Sequence, residues 1–131
     1  MLAALTSDDP TRTARLRRVL AVDALTAVGF GLAASLAAPG LATILAIPES
    51  LVRIAGLISL AATVLLAAAA LSPAPSRTLV KVIVAGNALW VAASIVLLAT
   101  GFGNASGMAV IAAQGLFVLV LTTMEHRLAP S

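Results

Sequence analysis

Four continuous apolar runs, each of about twenty residues, constrain this chain more than any other feature. A membrane-spanning helix needs about 20 consecutive apolar residues, each rising about 1.5 Å. Strands of a membrane barrel instead alternate polar and apolar residues, and an open strand edge cannot face lipid. We therefore predict an all-α, polytopic membrane protein with four transmembrane helices in an antiparallel bundle. The predicted spans are residues 19–38, 51–71, 79–99 and 108–124.

The amino-acid composition agrees with a membrane environment. Of the 131 residues, 61% are hydrophobic and 10% are charged, whereas soluble proteins are usually about 45–50% apolar and about 25% charged. Cysteine is absent, which excludes disulfides, thiolate metal sites and thiol redox chemistry. The net charge is only +3 and the arginines flank apolar runs, so we expect no nucleic-acid partner.

The polar segments at both ends of the chain separate it into three parts. Residues 1–18 form a basic segment that we expect to be disordered or interfacial, residues 19–127 form the transmembrane domain, and residues 128–131 form a short tail. The basic segment followed by the first span also resembles a secretory signal peptide. That span is longer than the apolar core of a signal peptide, which favours a retained helix.

The connection between the first two spans contains two prolines. Pro39 and Gly40 are expected to end the first helix. Residues 41–47 are apolar but too few to cross a bilayer, so we expect a turn or two of helix at the membrane interface. Pro48 should then start the second span, where its missing N–H costs nothing.

The distribution of Lys and Arg predicts the orientation. With four spans, the N-terminal segment, the loop 72–78 with its flank, and the C-terminus share one side. The other side holds only Arg53, spaced for a helical ion pair with Glu49. Because cytoplasmic loops are enriched in Lys and Arg, we predict a bacterial inner (plasma) membrane protein with both termini cytoplasmic. The basic residues of the cytoplasmic side are Arg12, Arg15, Arg17, Arg18, Arg77, Lys81 and Arg127.

Three of these arginines lie just before the first span. We expect Arg15, Arg17 and Arg18 to anchor the orientation by contacting anionic lipid headgroups. A specific docking site for a partner is the alternative interpretation.

Asp23 is the one acidic residue in the first span. It lies about 7.5 Å beyond Arg18 along a helix axis, where an unpaired charge is costly and must be paired, protonated or hydrated. Lys81 begins the third span on the same side and is the expected partner. Asp23 either holds two helices together through such a pair or forms a site that responds to protons or cations.

Further polar side chains lie at similar depth. Asn87 is deep in the third span, and the single tryptophan, Trp90, follows one turn later. These groups either form interhelical hydrogen bonds of about 0.6 kcal/mol each or line a small polar cavity open to the cytoplasm. For Trp90, packing with an internally bonded N–H is favoured over a ligand cage. The candidate buried polar cluster is Asp23, Thr26, Thr63, Lys81, Asn87, Trp90 and Gln114.

Small residues recur on two predicted helices at spacings that let helices approach closely. They are Gly29, Ala33 and Ala37 in the first span, and Gly56, Ser59, Thr63 and Ala67 in the second.

Several classes of site are excluded. His126 is the only histidine, so a haem held by two histidines of one chain is not possible. We find no metal-ligand cluster, phosphate loop or nucleophile–base arrangement, and predict no catalytic residues and no cofactor.

Two resemblances follow from the motifs. Asp23 in the first span, Ile47-Pro48-Glu49, and the segment from Asn87 to Ser94 resemble a group of small four-helix bacterial membrane proteins without an assigned activity. The chain is also similar to the small multidrug resistance family, which has four short helices and one acid in the first. That likeness implies exchange of protons for cationic drugs, with Asp23 as the acid. That family is rich in aromatic residues, whereas this chain has one Trp, three Phe and no Tyr.

Two functions are therefore expected. The first is a non-enzymatic membrane protein acting by helix–helix association, as a homo-oligomer or an accessory subunit of a larger membrane complex. The alternative is a small proton- or cation-coupled transporter, or a ligand-binding membrane protein, that uses Asp23 and Asn87.

Overall fold

Five helices follow one another in the structure, a computed structural model that describes residues 9–130. Four of them, all except the short second helix, are long and apolar enough to cross a membrane. This confirms the predicted all-α fold and indicates a multi-pass membrane protein. The predicted N-terminal segment and tail lie partly outside the described residues, at positions 1–8 and 131. The helices are α1 (Pro10–Leu36), α2 (Ala38–Leu45), α3 (Glu49–Leu71), α4 (Arg77–Ala99) and α5 (Ala105–Leu128).

Helix α1 begins well before the predicted span. Asp9 caps it by accepting a hydrogen bond from the backbone N–H of Thr11 at 3.1 Å, and Pro10 occupies its first turn. Both are favoured at a helix start, because the cap satisfies a free N–H and proline has none to lose. The described part of the basic segment is therefore mainly helical.

The break between α1 and α2 differs from the prediction. Helix α1 ends at Leu36, and Pro39 lies inside the first turn of α2 rather than at the end of α1. A continuous helix would pair the N–H of residue 39 with the carbonyl of Ser35, and proline removes that donor. Arg53 of α3 donates to this carbonyl at 3.3 Å and also forms the predicted ion pair with Glu49 at 3.1 Å.

The predicted short helix between the first two spans is present as α2, and the α4–α5 loop holds its end. The backbone N–H of Asn104 donates to the carbonyl of Leu45 at 3.0 Å, and its side-chain amide donates to that of Ile44 at 2.9 Å. The same side chain caps α5 by accepting from the N–H of Gly107. The terminal carbonyls of α2, which an isolated helix leaves unpaired, are thereby bonded.

Helices α1 and α3 make the most extensive contact in the structure. A Cβ added to Gly56 would lie 2.8 Å from the backbone nitrogen of Ser35, and one added to Gly31 would lie 2.7 Å from the side chain of Leu60. The predicted small residues Gly56 and Ser59 are buried in this interface. The small residues predicted in the first span, Gly29, Ala33 and Ala37, are exposed, and on α1 the close approach to α3 is made by Gly31 instead.

Helices α4 and α5 form a second extensive contact, and α1 joins the two pairs by packing against α5. Helices α3 and α4 touch each other little. Apolar clusters lie toward both ends of the helices, one around Leu20, Leu66 and Val80, the other around Ala38 and Val52. The region between them carries most of the buried polar side chains.

Outer surfaces of the long helices are apolar. Leu25, Leu71 and Leu89 are 71%, 78% and 72% exposed, respectively. Soluble monomers rarely expose contiguous apolar surfaces of this kind. The exposed leucines therefore agree with helices that face hydrocarbon.

We expect Gly56→Ala to destabilise the protein by about 1–3 kcal/mol, because overpacking a close contact forces backbone to move. Gly29→Ala is the matched control, since a Cβ there meets nothing within 4 Å. Alanine favours helix by about 1 kcal/mol over glycine, so this control should be neutral or stabilising. Thermal unfolding in a mild detergent measures both, and equal midpoints would contradict the assigned α1–α3 contact.

Candidate functional site: a buried acid pair beside two cavities

Asn87 of α4 connects two carboxyl groups from two other helices. Its side-chain nitrogen donates to Oδ2 of Asp23 on α1 at 3.0 Å and to Oε1 of Glu125 on α5 at 3.0 Å. Asp23 is 4% exposed and Glu125 is fully buried. The two carboxyl groups are close neighbours, because one oxygen of each lies 3.0 Å from the same amide nitrogen. We call Asp23 and Glu125 the acid pair.

No basic side chain neutralises the acid pair in the part of the chain that the structure describes. The one ion pair among residues 9–130 is Arg53–Glu49, on the outer surface. Oε2 of Glu125 is buried and accepts no hydrogen bond. Two adjacent carboxyl groups in a low-dielectric interior cannot both carry an uncompensated charge. The acid pair therefore requires a bound proton or a bound cation.

A second polar network lies about one turn further along α4. The indole N–H of Trp90 donates to the side-chain oxygen of Gln114 on α5, and the Gln114 amide donates to Ser94 Oγ at 2.9 Å. Phe30 of α1 packs its ring edge-to-face against Trp90, with ring centroids 5.8 Å apart. These contacts fix the indole from both sides, as predicted for a packing role, and place it at the centre of the helices.

Two cavities meet at this indole. The acid cavity, about 470 Å³, is lined by Asp23 and Asn87, and the apolar cavity, about 430 Å³, lies further along the helices toward α2. Both volumes are within the range of small-molecule sites, about 300–1,000 Å³. The residues that line both cavities are Phe30, Ile58, Trp90 and Gln114.

Helix α3 supplies one polar group to the acid cavity. Ser59 lines this cavity and donates to the carbonyl of Ala27 on α1 at 2.8 Å. Thr26 also lines it and donates to the carbonyl of Asp23 in its own helix at 3.0 Å. The rest of the lining is mainly aliphatic and aromatic, and Asp23 is the ionisable side chain among the residues that line it.

The structure brings most of the predicted cluster together but not all of it. Asp23, Thr26, Asn87, Trp90 and Gln114 line one cavity. Thr63 does not; its hydroxyl bonds to the carbonyl of Ser59 in its own helix. The expected Lys81–Asp23 pair is wrong, because Lys81 is exposed and Asp23 bonds to Asn87 instead.

The arginines in the first part of α1 differ in their surroundings. Arg15 and Arg18 are exposed. Arg17 is half-buried, and its Nε donates to the carbonyl of Ala70 at 3.1 Å near the end of α3. Basic side chains commonly bond the last carbonyls of a helix, and Arg17 therefore has a structural role.

Glu125 is the site residue that the sequence analysis missed. Hydropathy placed it beyond the fourth span, next to His126, whereas α5 continues to Leu128 and buries it. Its helical spacing was the available signal. Gln114, Leu121 and Glu125 recur at offsets that keep them on one face of a helix.

Within residues 9–130 no group of three or more His, Cys, Asp or Glu side chains is placed to hold a metal ion. Comparison with protein-family models, curated proteins and solved structures found no match. What the chain binds is therefore inferred from its own residues.

We expect Asn87→Ala to destabilise the protein by about 1–3 kcal/mol, because both carboxyl groups lose their donor. Thr63→Val is the matched control, since that hydroxyl bonds only within α3. The cost of Asn87→Ala should shrink in an Asp23→Asn/Glu125→Gln background, where the acid pair is absent. Detergent unfolding curves measure this coupling, and an equal cost in both backgrounds would show that Asn87 acts independently of the acids.

Proposed function

We propose that this chain is a ligand-binding membrane protein whose acid pair takes up either a proton or the cationic group of a ligand. One observation carries the proposal: Asp23 and Glu125 share a single amide donor, no basic side chain among residues 9–130 pairs with either of them, and Asp23 lines the acid cavity. Buried acids within membrane helices are costly and usually mark proton or ion sites. The proposed activity is binding without a chemical step.

Competition between proton and cation follows from the geometry. A proton shared by the two carboxyl groups would give Oε2 of Glu125 a partner and remove the repulsion. A cation that reaches Asp23 through the cavity would also reduce the repulsion, because its charge offsets that of the carboxyl groups. Because the acid pair is buried with one amide, the two occupants are alternatives, which is the basis of proton-coupled transport.

We further propose the finer membrane arrangement. Contacts of α1 with α3 join Arg17 to Ala70, Ala27 to Ser59 and Ser35 to Arg53, an order that supports an antiparallel bundle. The strong excess of Lys and Arg beside the N-terminus and the α3–α4 loop supports cytoplasmic termini and a bacterial inner membrane. The acid pair would then lie nearer the cytoplasmic side.

The proposal predicts that a small cation displaces a proton. Titrating the protein in a neutral detergent with butylammonium should release up to one proton per cation, and affinity should rise with pH because the competing proton becomes scarcer. Calorimetry in two buffers of different ionisation enthalpy measures the release. Butanol, which carries no charge, is the ligand control.

Substitutions test whether the acid pair is responsible. Asp23→Asn and Glu125→Gln should each weaken butylammonium binding at least tenfold and abolish proton release. Glu49→Gln removes an exposed acid that pairs with Arg53 and should leave both unchanged. Wild-type binding without proton release, or release that persists in both acid variants, would sink the proposal.

Helix–helix association remains the second candidate. The small residues Gly29 and Ala33 of α1, and Ala37 just after it, are exposed rather than used in the α1–α3 contact. Such stripes let helices of separate chains pack closely. Lipid headgroups and a second copy, or a larger membrane complex, are the partners this function would involve.

Association through this stripe predicts a dimer or larger oligomer in mild detergent. Gly29→Leu should convert it to a monomer, since the added side chain blocks close approach. Ala61→Leu, at an exposed position of α3, should leave the oligomer intact. Light scattering coupled to size exclusion measures the mass; a wild-type monomer would rule out stable self-association.

A further inference from the structure

The two cavities lie end to end along the helices and share the lining residues Phe30, Ile58, Trp90 and Gln114. We refer to the two together as the path. On α1 the lining passes from Asp23 through Phe30 to Ala34, and on α4 from Asn87 through Trp90 to Leu97. From residue 87 to residue 97 a helix rises about 15 Å. The path therefore has a charged end at the acid pair and an apolar end toward α2.

The path opens sideways between α3 and α4. These helices make little contact with each other, and side chains that line the acid cavity from both of them are also on the outer surface. Ile58 is 52% exposed, Leu65 is 42% exposed and Val82 is 50% exposed. A ligand dissolved in the hydrocarbon could thus enter without crossing water.

We infer that the two cavities together bind a single-chain amphiphile with a protonated amine head, the head at Asp23 and the chain passing Trp90 into the apolar cavity. This inference rests on the proposed function and names its ligand class. Charge complementarity selects the head, because no basic side chain in the described part of the chain pairs with the buried acid pair, and Oε2 of Glu125 accepts no hydrogen bond there.

The shape of the path selects a single chain. Phe30 and Trp90 meet edge-to-face where the cavities join, and Gln114 holds the indole N–H. One extended alkyl chain passes beside such a constriction more readily than a fused ring system. The apolar cavity beyond it offers almost no polar partners, so it suits methylene groups.

Trp90 is the only tryptophan in the chain, which makes it a reporter at the point where the chain must pass. Bromine atoms quench indole fluorescence on contact. Dodecylamine brominated at mid-chain should therefore quench Trp90 saturably in protein reconstituted into neutral lipid bilayers. Dodecanol and dodecanoate brominated at the same position measure quenching by lipid-dissolved chains, and should show no saturable component.

Two substitutions separate the head from the chain. Asp23→Asn should remove the saturable component. Ala55→Leu narrows the apolar cavity, which Ala55 lines, and should weaken dodecylamine binding about tenfold while leaving butylammonium binding unchanged. Ala61→Leu, exposed on the same helix and outside both cavities, is the matched control and should change neither.

The outcomes distinguish the two proposals. If butylammonium binds and depends on Asp23 but Ala55→Leu leaves dodecylamine quenching unchanged, the chain does not occupy the apolar cavity and only the present inference fails. Saturable quenching of equal strength by the alcohol or the carboxylate would overturn the amine head. If neither amine binds the wild-type protein, both proposals fail.

Discussion

The hydrogen bonds of one amide hold the centre of this protein together. Asn87 donates to carboxyl groups from two neighbouring helices, and both carboxyl groups are withdrawn from solvent. In a low-dielectric interior an unsatisfied carboxyl is expensive, so the relative positions of α1, α4 and α5 are set by the need to bring these groups to one donor. The cavity beside them exists because α3 is held by α1 and approaches α4 little.

At the other end of the helices, around α2, backbone carbonyl groups that lack a helical donor are likewise hydrogen-bonded by other parts of the chain. Pro39 deprives the Ser35 carbonyl of its helical donor, and Arg53 of α3 supplies one instead. Asn104 does the same for the last carbonyls of α2. Because a membrane interior offers no water to such groups, both of these interruptions are matched by a side chain from another part of the chain.

Trp90 links the polar and apolar parts of the molecule. Its N–H belongs to the Gln114 network, its ring packs on Phe30, and its faces border both cavities. An amphipathic side chain suits this position because one edge can be bonded while the rest meets hydrocarbon. Asp23 and the apolar cavity therefore lie on either side of one side chain, which supports assigning them to one ligand.

The four membrane-length helices, the short helix after the first span and the Glu49–Arg53 pair were predictable from the sequence, because each depends on residues close together in the chain. So was the internal hydrogen bonding of Asp23, Asn87, Trp90 and Gln114, since polar groups within apolar runs must be satisfied internally. Partner choice was not predictable. Lys81 lies at the surface while Glu125 is buried beside Asn87, because a lysine near a helix end can reach solvent, whereas a carboxyl on the inner face of α5 cannot.

The glycines show the same difference between what the local sequence indicates and what helix packing decides. The sequence marked small residues on both helices, but only packing decided that Gly31 and Gly56 make the close approach while Gly29 faces outward. The sequence by itself determined which segments are helical and apolar, because hydrogen bonding in hydrocarbon leaves few alternatives. The tertiary structure alone decided which faces meet, because rotation about a helix axis changes no local preference yet determines every contact.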